Sequence, residues 1–127
     1  MAPDEEEFLT AYLAHAEAVA LHRREQELPP AWERMGGLVQ DAPEQAWKVI
    51  VELVRRAKRD EVLAYIAAGP LEDLLCEHPY TFIDRVEALA AADAHFKWAL
   101  SGVWGESRMP DDVRARIDAI LGDAPRL

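Results

Sequence analysis

The sequence predicts an all-α protein, a single helical domain over residues 1–127 with about seven or eight helices in an irregular or repeat-like bundle. Apolar residues recur every three or four positions along most of the chain, which is the spacing of amphipathic helices. Valine, isoleucine and threonine nowhere alternate with polar residues as they do in strands. Half of the residues are apolar, which is enough for a core. A flexible tail is expected over residues 123–127.

The first helix is predicted from about Asp4 to Glu25. Its apolar residues share one face, and the acidic residues at its start suit the positive end of the helix dipole. Arg23 and Arg24 lie near the other end, where positive charge is favourable. The two prolines of "LPPAW" then break the chain.

The second and third helices follow this break. Pro30 suits the first turn of a short helix, which Gly36 and Gly37 are expected to end. Asp41 and Glu44 have the spacing of a capping box, and a proline between them suits the first turn of the third helix. This third helix has a wide apolar face and pairs of opposite charge on its other side, so the helical period is clearest here.

The stretch "AAGPLEDLL" is predicted to be an elbow between two helices. The helix before it is capped by Asp60 and is apolar on nearly all sides, which indicates a buried position. Gly69 is expected to end that helix with a positive φ, and Pro70 to begin the next one. Glu72 and Asp73 then fall in the first turn, where carboxylates face the exposed N–H groups.

Three more helices complete the prediction. Thr81 and Asp84 resemble a capping box for the first of them. Asp93 is expected to cap the second. Pro110 opens the last helix, and Gly122 ends it.

Composition limits the classes of partner and the compartment. The formal net charge of −10 disfavours nucleic acid and anionic membranes as direct ligands and is compatible with a basic protein partner. A single cysteine allows no intrachain disulfide and fits a reducing compartment. The acidic N-terminus lacks the pattern of a signal peptide, and no apolar run approaches the roughly 20 residues of a membrane span. We therefore expect a cytoplasmic protein with no membrane partner.

The residue patterns of known catalytic and metal sites are missing from the sequence. There is no glycine-rich phosphate loop, no nucleophile elbow and no zinc-binding histidine motif. His15 and His22 share a helix face but lie about 10 Å apart, too far to hold one metal as a pair. Cys76 is expected to be a buried and inert thiol. No catalytic, cofactor-binding or metal-binding residue is predicted.

Charge distribution is the most informative functional feature. Between Asp60 and Asp93 the chain has eight acidic residues and one basic residue, Arg85. A surface of one sign attracts partners of the opposite sign, although the same residues could simply form a solvated surface.

The tryptophans suggest one further contact. Trp47 and Trp104 lie on apolar stripes and are expected in the core, whereas Trp98 lies off its stripe and could either anchor a partner or pack on a neighbouring helix. The candidate protein-binding residues are therefore Glu72, Asp73, Glu77, Asp84, Glu87 and Trp98.

The middle of the chain, from about Asp41 to Trp104, resembles an uncharacterised bacterial family known only as a domain of unknown function. The residues that carry the resemblance are "DAPEQAW", "IAAGPLEDLL" and "LSGVW", of which "AAGPLEDLL" is the specific part. The resemblance implies a small helical bacterial protein and brings no activity, cofactor or catalytic residue with it.

The first functional hypothesis is a non-enzymatic, cytoplasmic binding protein whose acidic surface engages a basic protein. An immunity protein that neutralises a toxin, or a nucleic-acid mimic, would belong to this class. The alternatives are a small enzyme that uses carboxylates or a metal ion, and an accessory or structural subunit.

Overall fold

The computed structural model describes residues 3–20 and 30–127. This part of the chain contains eight α-helices and no strand, which confirms the predicted all-α class. The helices are α1 (Pro3–Ala20), α2 (Pro30–Asp41), α3 (Pro43–Arg56), α4 (Asp60–Ile66), α5 (Glu72–Glu77), α6 (Pro79–Ala92), α7 (Ala94–Leu100) and α8 (Asp111–Leu121). A kinked segment, Ala67–Leu71, joins α4 to α5, and a short 3-10 helix, Glu106–Arg108, precedes α8.

Helix α3 is the centre of the packing, in contact with α1, α2, α4, α5 and α7. On one side α1 packs against α2 and α4, and on the other side α6 packs against α5, α7 and α8. The buried apolar residues form one cluster that extends from Phe8 on α1 to Leu121 on α8. The described helices therefore share one hydrophobic core.

Three predicted helix boundaries are confirmed. Pro43 is the first residue of α3. Asp93 caps α7, because its carboxylate accepts hydrogen bonds from the backbone N–H groups of His95 and Phe96 at 2.9 and 3.1 Å. Gly122 follows α8 with φ of 60°.

The prediction that Gly36 and Gly37 end the second helix is wrong, since α2 continues to Asp41. Glycine costs a helix interior about 1 kcal/mol relative to alanine. Met35 and Val39 are one turn apart and buried, and their packing outweighs this cost.

The predicted capping box of Asp41 and Glu44 is also wrong. Because α2 extends to Asp41, only Ala42 separates it from α3, and Ala42 is the N-cap without a side-chain hydrogen bond. Glu44 instead binds Arg85 on α6, with contacts of 2.6 and 2.9 Å.

Two more caps differ from the prediction. The N-cap of α4 is Arg59, and Asp60 is the first helical residue. Helix α6 begins at Pro79, so Thr81 lies inside the helix and does not cap it with Asp84. In both places the helix starts earlier than the sequence pattern predicted, so the selected polar residue is helical and is not the N-cap.

The prediction of a buried Trp104 is wrong, because 53% of this residue is exposed. Helix α7 ends at Leu100, so the helical spacing that placed Trp104 on an apolar stripe does not continue to it. The predicted end of the first helix at Glu25, with Arg23, Arg24 and also His22, lies outside the described residues.

Candidate binding pocket at the kinked helix

The stretch "AAGPLEDLL" forms a kink between α4 and α5. Gly69 has φ of −99° and ψ of −106°, which is not helical. The ring of Pro70 disfavours a helical conformation at the residue before it, so Gly69 is the place where the helix bends. The Glu72 N–H donates to the carbonyl of Ala67, five residues back, which is the π-helical hydrogen bond.

The predicted positive φ at Gly69 is therefore wrong. The start of the next helix at Pro70 is confirmed, because Gly69 is the one non-helical residue within Ala67–Leu71 and Leu71 is already helical, with φ of −66° and ψ of −46°. The predicted elbow therefore exists as a kink between two helices, with the break in helical backbone at Gly69.

A concave pocket of about 260 Å³ lies beside this kink. Four parts of the chain line it: α1, α2, α4 and the segment from the kink into α5. The lining residues are Tyr12, Trp32, Glu33, Met35, Gly36, Val39, Tyr65, Ala68, Gly69, Pro70 and Asp73. The lining is thus aromatic and apolar with two carboxylates.

Two tyrosines of the lining are held in place by His15. The Nε2 atom of His15, which is only 2% exposed, lies 2.7 Å from the Tyr65 hydroxyl. The rings of Tyr12 and Tyr65 both meet the His15 ring edge to face, at centroid distances of 5.6 and 5.4 Å. Burial, followed by the charges of Tyr65 and Asp73, raises the pKa of Tyr12, so its phenol stays neutral.

The charged groups of the lining are acidic. Glu33 is exposed on α2, and no lysine or arginine is among the described residues that line the pocket. Arg108 lies nearby and donates to Asp73 at 3.0 Å and to Glu72 at 3.2 Å. Because one guanidinium serves two carboxylates, this group keeps a net negative charge.

Glu72 has a structural role in the fold. Its Oε1 atom accepts hydrogen bonds from the backbone N–H groups of Trp104 and Gly105, both at 3.0 Å. Its side chain is only 13% exposed. Glu72 therefore fixes the loop after α7 against α5.

Two of the three remaining candidate acids form a second group. Asp84 and Glu87 on α6 both bind Arg116 on α8. Hydrogen bonding to Arg116 lowers the pKa of Glu87. Glu77 is exposed on α5, one turn beyond Asp73, and makes no ion pair within the described residues. The structure thus divides the predicted acidic surface into two arginine-bound pairs and a separate Glu77.

Trp98 is half-buried, and its indole Nε1 donates to Asp60 at 2.8 Å. The indole therefore joins α7 to the start of α4. This contact explains why a tryptophan lies off the apolar stripe of its helix.

Few of the described side chains have a geometry suited to catalysis or to metal binding. Cys76 is half-buried, although it was expected to be buried, and burial raises the pKa of its thiol. The hydroxyl of Ser101 bonds to the Trp98 carbonyl and accepts from the Leu127 N–H. Within the described ranges, no group of three or more histidine, cysteine or acidic side chains could hold a metal ion. No described helix is long and apolar enough to cross a membrane.

Sequence reasoning missed most of the pocket. Tyr12 and Tyr65 lie in helices for which the sequence predicted only apolar faces, and Trp32 and Glu33 were given no role. The one signal in the sequence was the unusual motif at the kink, since Ala68, Gly69, Pro70 and Asp73 belong to it.

Comparison with known proteins gives a family and no activity. No curated protein and no solved structure matches the chain. One family model matches residues 20–124, which extends beyond the predicted resemblance at both ends and includes every helix of the pocket except α1. The bacterial origin and the proposed family motif stay predictions. The chain belongs to the family of unknown function DUF6869.

Proposed function

We propose that this protein is a non-enzymatic binding protein that captures a cationic side chain of a basic partner in the pocket at the kink. The observation that carries the proposal is the lining itself: three aromatic rings and two carboxylates, of which Asp73 is already bound to Arg108 and Glu33 is exposed, with no cationic residue among the described lining residues. Aromatic faces and carboxylates both attract cations, and a pocket that combines them favours an ammonium or guanidinium group.

The size of the pocket fits this role. At about 260 Å³ it is smaller than the roughly 300–1,000 Å³ of sites for drug-sized ligands. One lysine or arginine side chain is an occupant of the right scale. The fixed positions of Tyr12 and Tyr65 beside His15 reduce the ordering that binding would require.

The surface around the pocket supports the same partner. Glu77 lies one turn after Asp73 on α5, so exposed negative charge continues away from the pocket along this helix. Such a surface accelerates association with a basic protein, and added salt slows this association. Neutralisation of a basic toxin is one form of this binding, and it stays a prediction from the sequence.

The proposal is tested by titrating the protein with N-acetyl-arginine amide. Binding is followed in two-dimensional NMR spectra of the protein. We expect millimolar binding and shifts confined to the pocket lining, since a single side chain makes few contacts. Gly36→Leu should abolish the binding. Gly36 lines the pocket, and a Cβ placed there has open space around it. A leucine side chain at this position would therefore extend into the cavity and fill it.

Gly37→Leu is the matched control. Gly37 is the next residue of α2, is exposed, has open space around its Cβ and does not line the pocket. Both variants should gain helix propensity and stay folded. Loss of binding in both variants, or in neither, would overturn the proposal.

A further inference from the structure

We propose that a groove between α3 and α6 binds an acidic amphipathic helix of a partner protein. This groove shares no lining residue with the pocket at the kink. The inference is therefore independent of the proposed cation capture.

The groove is open to solvent and has a mainly apolar lining. Its volume is about 670 Å³, and it is lined by Trp47, Lys48, Val51, Arg85, Ala88, Leu89 and Ala92. The Trp47 ring stacks on Phe82 at 5.7 Å and meets Phe96 edge to face at 6.0 Å. Ala88 and Ala92 are small and exposed, which lets another backbone approach closely.

The charged residues that line the groove have the opposite sign to the net charge of the chain. Its charged lining residues are Lys48 and Arg85, in a protein of formal net charge −10. Glu44 already binds the Arg85 guanidinium, which also lies 5.1 Å from the Phe82 ring centre. Lys48 is exposed and makes no ion pair within the described residues, so it supplies the positive charge available to a partner.

The spacing of the walls fits a helix. On α6 the lining runs from Arg85 to Ala92, which is about 10 Å or two helical turns, and on α3 it runs over about one turn from Trp47 to Val51. A partner helix with apolar residues at i, i+3, i+4 and i+7 would bury this stripe between the walls, in the groove-binding arrangement seen for amphipathic helices. A carboxylate beside the stripe would pair with Lys48.

The test uses a fluorescein-labelled helical peptide with leucines at i, i+3, i+4 and i+7 and glutamates elsewhere. A second peptide replaces every glutamate with glutamine, and a third scrambles the first. We expect the acidic amphipathic peptide to bind at micromolar Kd, and the other two to bind at least about tenfold more weakly, because charge and stripe are both needed. Equal binding of the glutamine peptide would overturn the charge argument.

Two alanines of α6 provide matched variants. Ala92→Glu places a carboxylate in the groove, whereas Ala91→Glu places the same charge at the next exposed residue, outside the lining. We expect about a tenfold loss of peptide affinity for Ala92→Glu and almost none for Ala91→Glu. Gly36→Leu, which fills the other pocket, should leave this affinity unchanged. Equal effects of the two alanine variants, or a protein dimer in sedimentation that Ala92→Glu dissociates, would overturn the proposed partner.

Discussion

Replacement of Glu72 by alanine should destabilise the protein, although the sequence places this residue among the candidate binding acids. The carboxylate accepts two backbone hydrogen bonds from the loop after α7 and one from the Arg108 side chain. A surface binding residue would not be expected to hold backbone groups in this way.

The expected loss follows from the burial of these contacts. The Gly105 N–H is part-buried, and a buried donor without an acceptor costs about 1–3 kcal/mol. The Trp104 N–H is exposed and can bond to water instead, so it adds little. We expect Glu72→Ala to lower the free energy of unfolding by about 2 kcal/mol, which for a domain of this size lowers Tm by about 8 °C.

The matched control is Asp84→Ala. Asp84 also shares an arginine with a second carboxylate, but its side chain is 81% exposed and holds no backbone group. Its removal should change the free energy of unfolding by no more than about 0.5 kcal/mol. Urea denaturation of both variants measures the two losses. Equal losses would refute the structural role of Glu72.

Two further predictions concern backbone conformation and pH. Gly105→Ala and Gly122→Ala should each lower Tm in a thermal melt: both residues have φ of 60°, which costs a side chain about 1–2 kcal/mol, and the ψ of −145° at Gly122 lies in a region that is essentially confined to glycine. A hydrogen bond from Arg55 lowers the pKa of Glu52 to about 2. Because this folded-state pKa is below the unfolded value, the stabilisation is present above pH of about 4.5 and is lost as pH falls towards about 2. Glu52→Gln should flatten this part of the pH–stability curve in urea titrations.

The helices of this protein could be predicted from its sequence because their apolar faces are periodic. Asp93 and Pro43 were also predictable, since a cap or a first-turn proline acts within a few residues. The end of α2 was not predictable in this way, because the burial of Met35 and Val39 depends on helices elsewhere in the chain.

The candidate site was less accessible to sequence reasoning. The acidic segment was visible as a run of charge, but its partners Arg108 and Arg116 lie 29 to 36 residues away from the acids they bind. The pocket combines residues of α1, α2, α4 and the kink, and only the tertiary structure brings them together. The motif at the kink indicated where in the chain the candidate site lies, but it did not indicate that a cavity is present there.

The most direct test of cation capture compares arginine with a neutral group of the same shape. Isothermal titration calorimetry measures the affinities of N-acetyl-arginine amide and of N-acetyl-citrulline amide. The difference between these two affinities is the part that depends on the positive charge. We predict that the arginine compound binds about tenfold more tightly, and that Glu33→Gln reduces this ratio, because Glu33 lines the pocket and makes no ion pair within the described residues. Equal affinity for the two compounds would contradict the account.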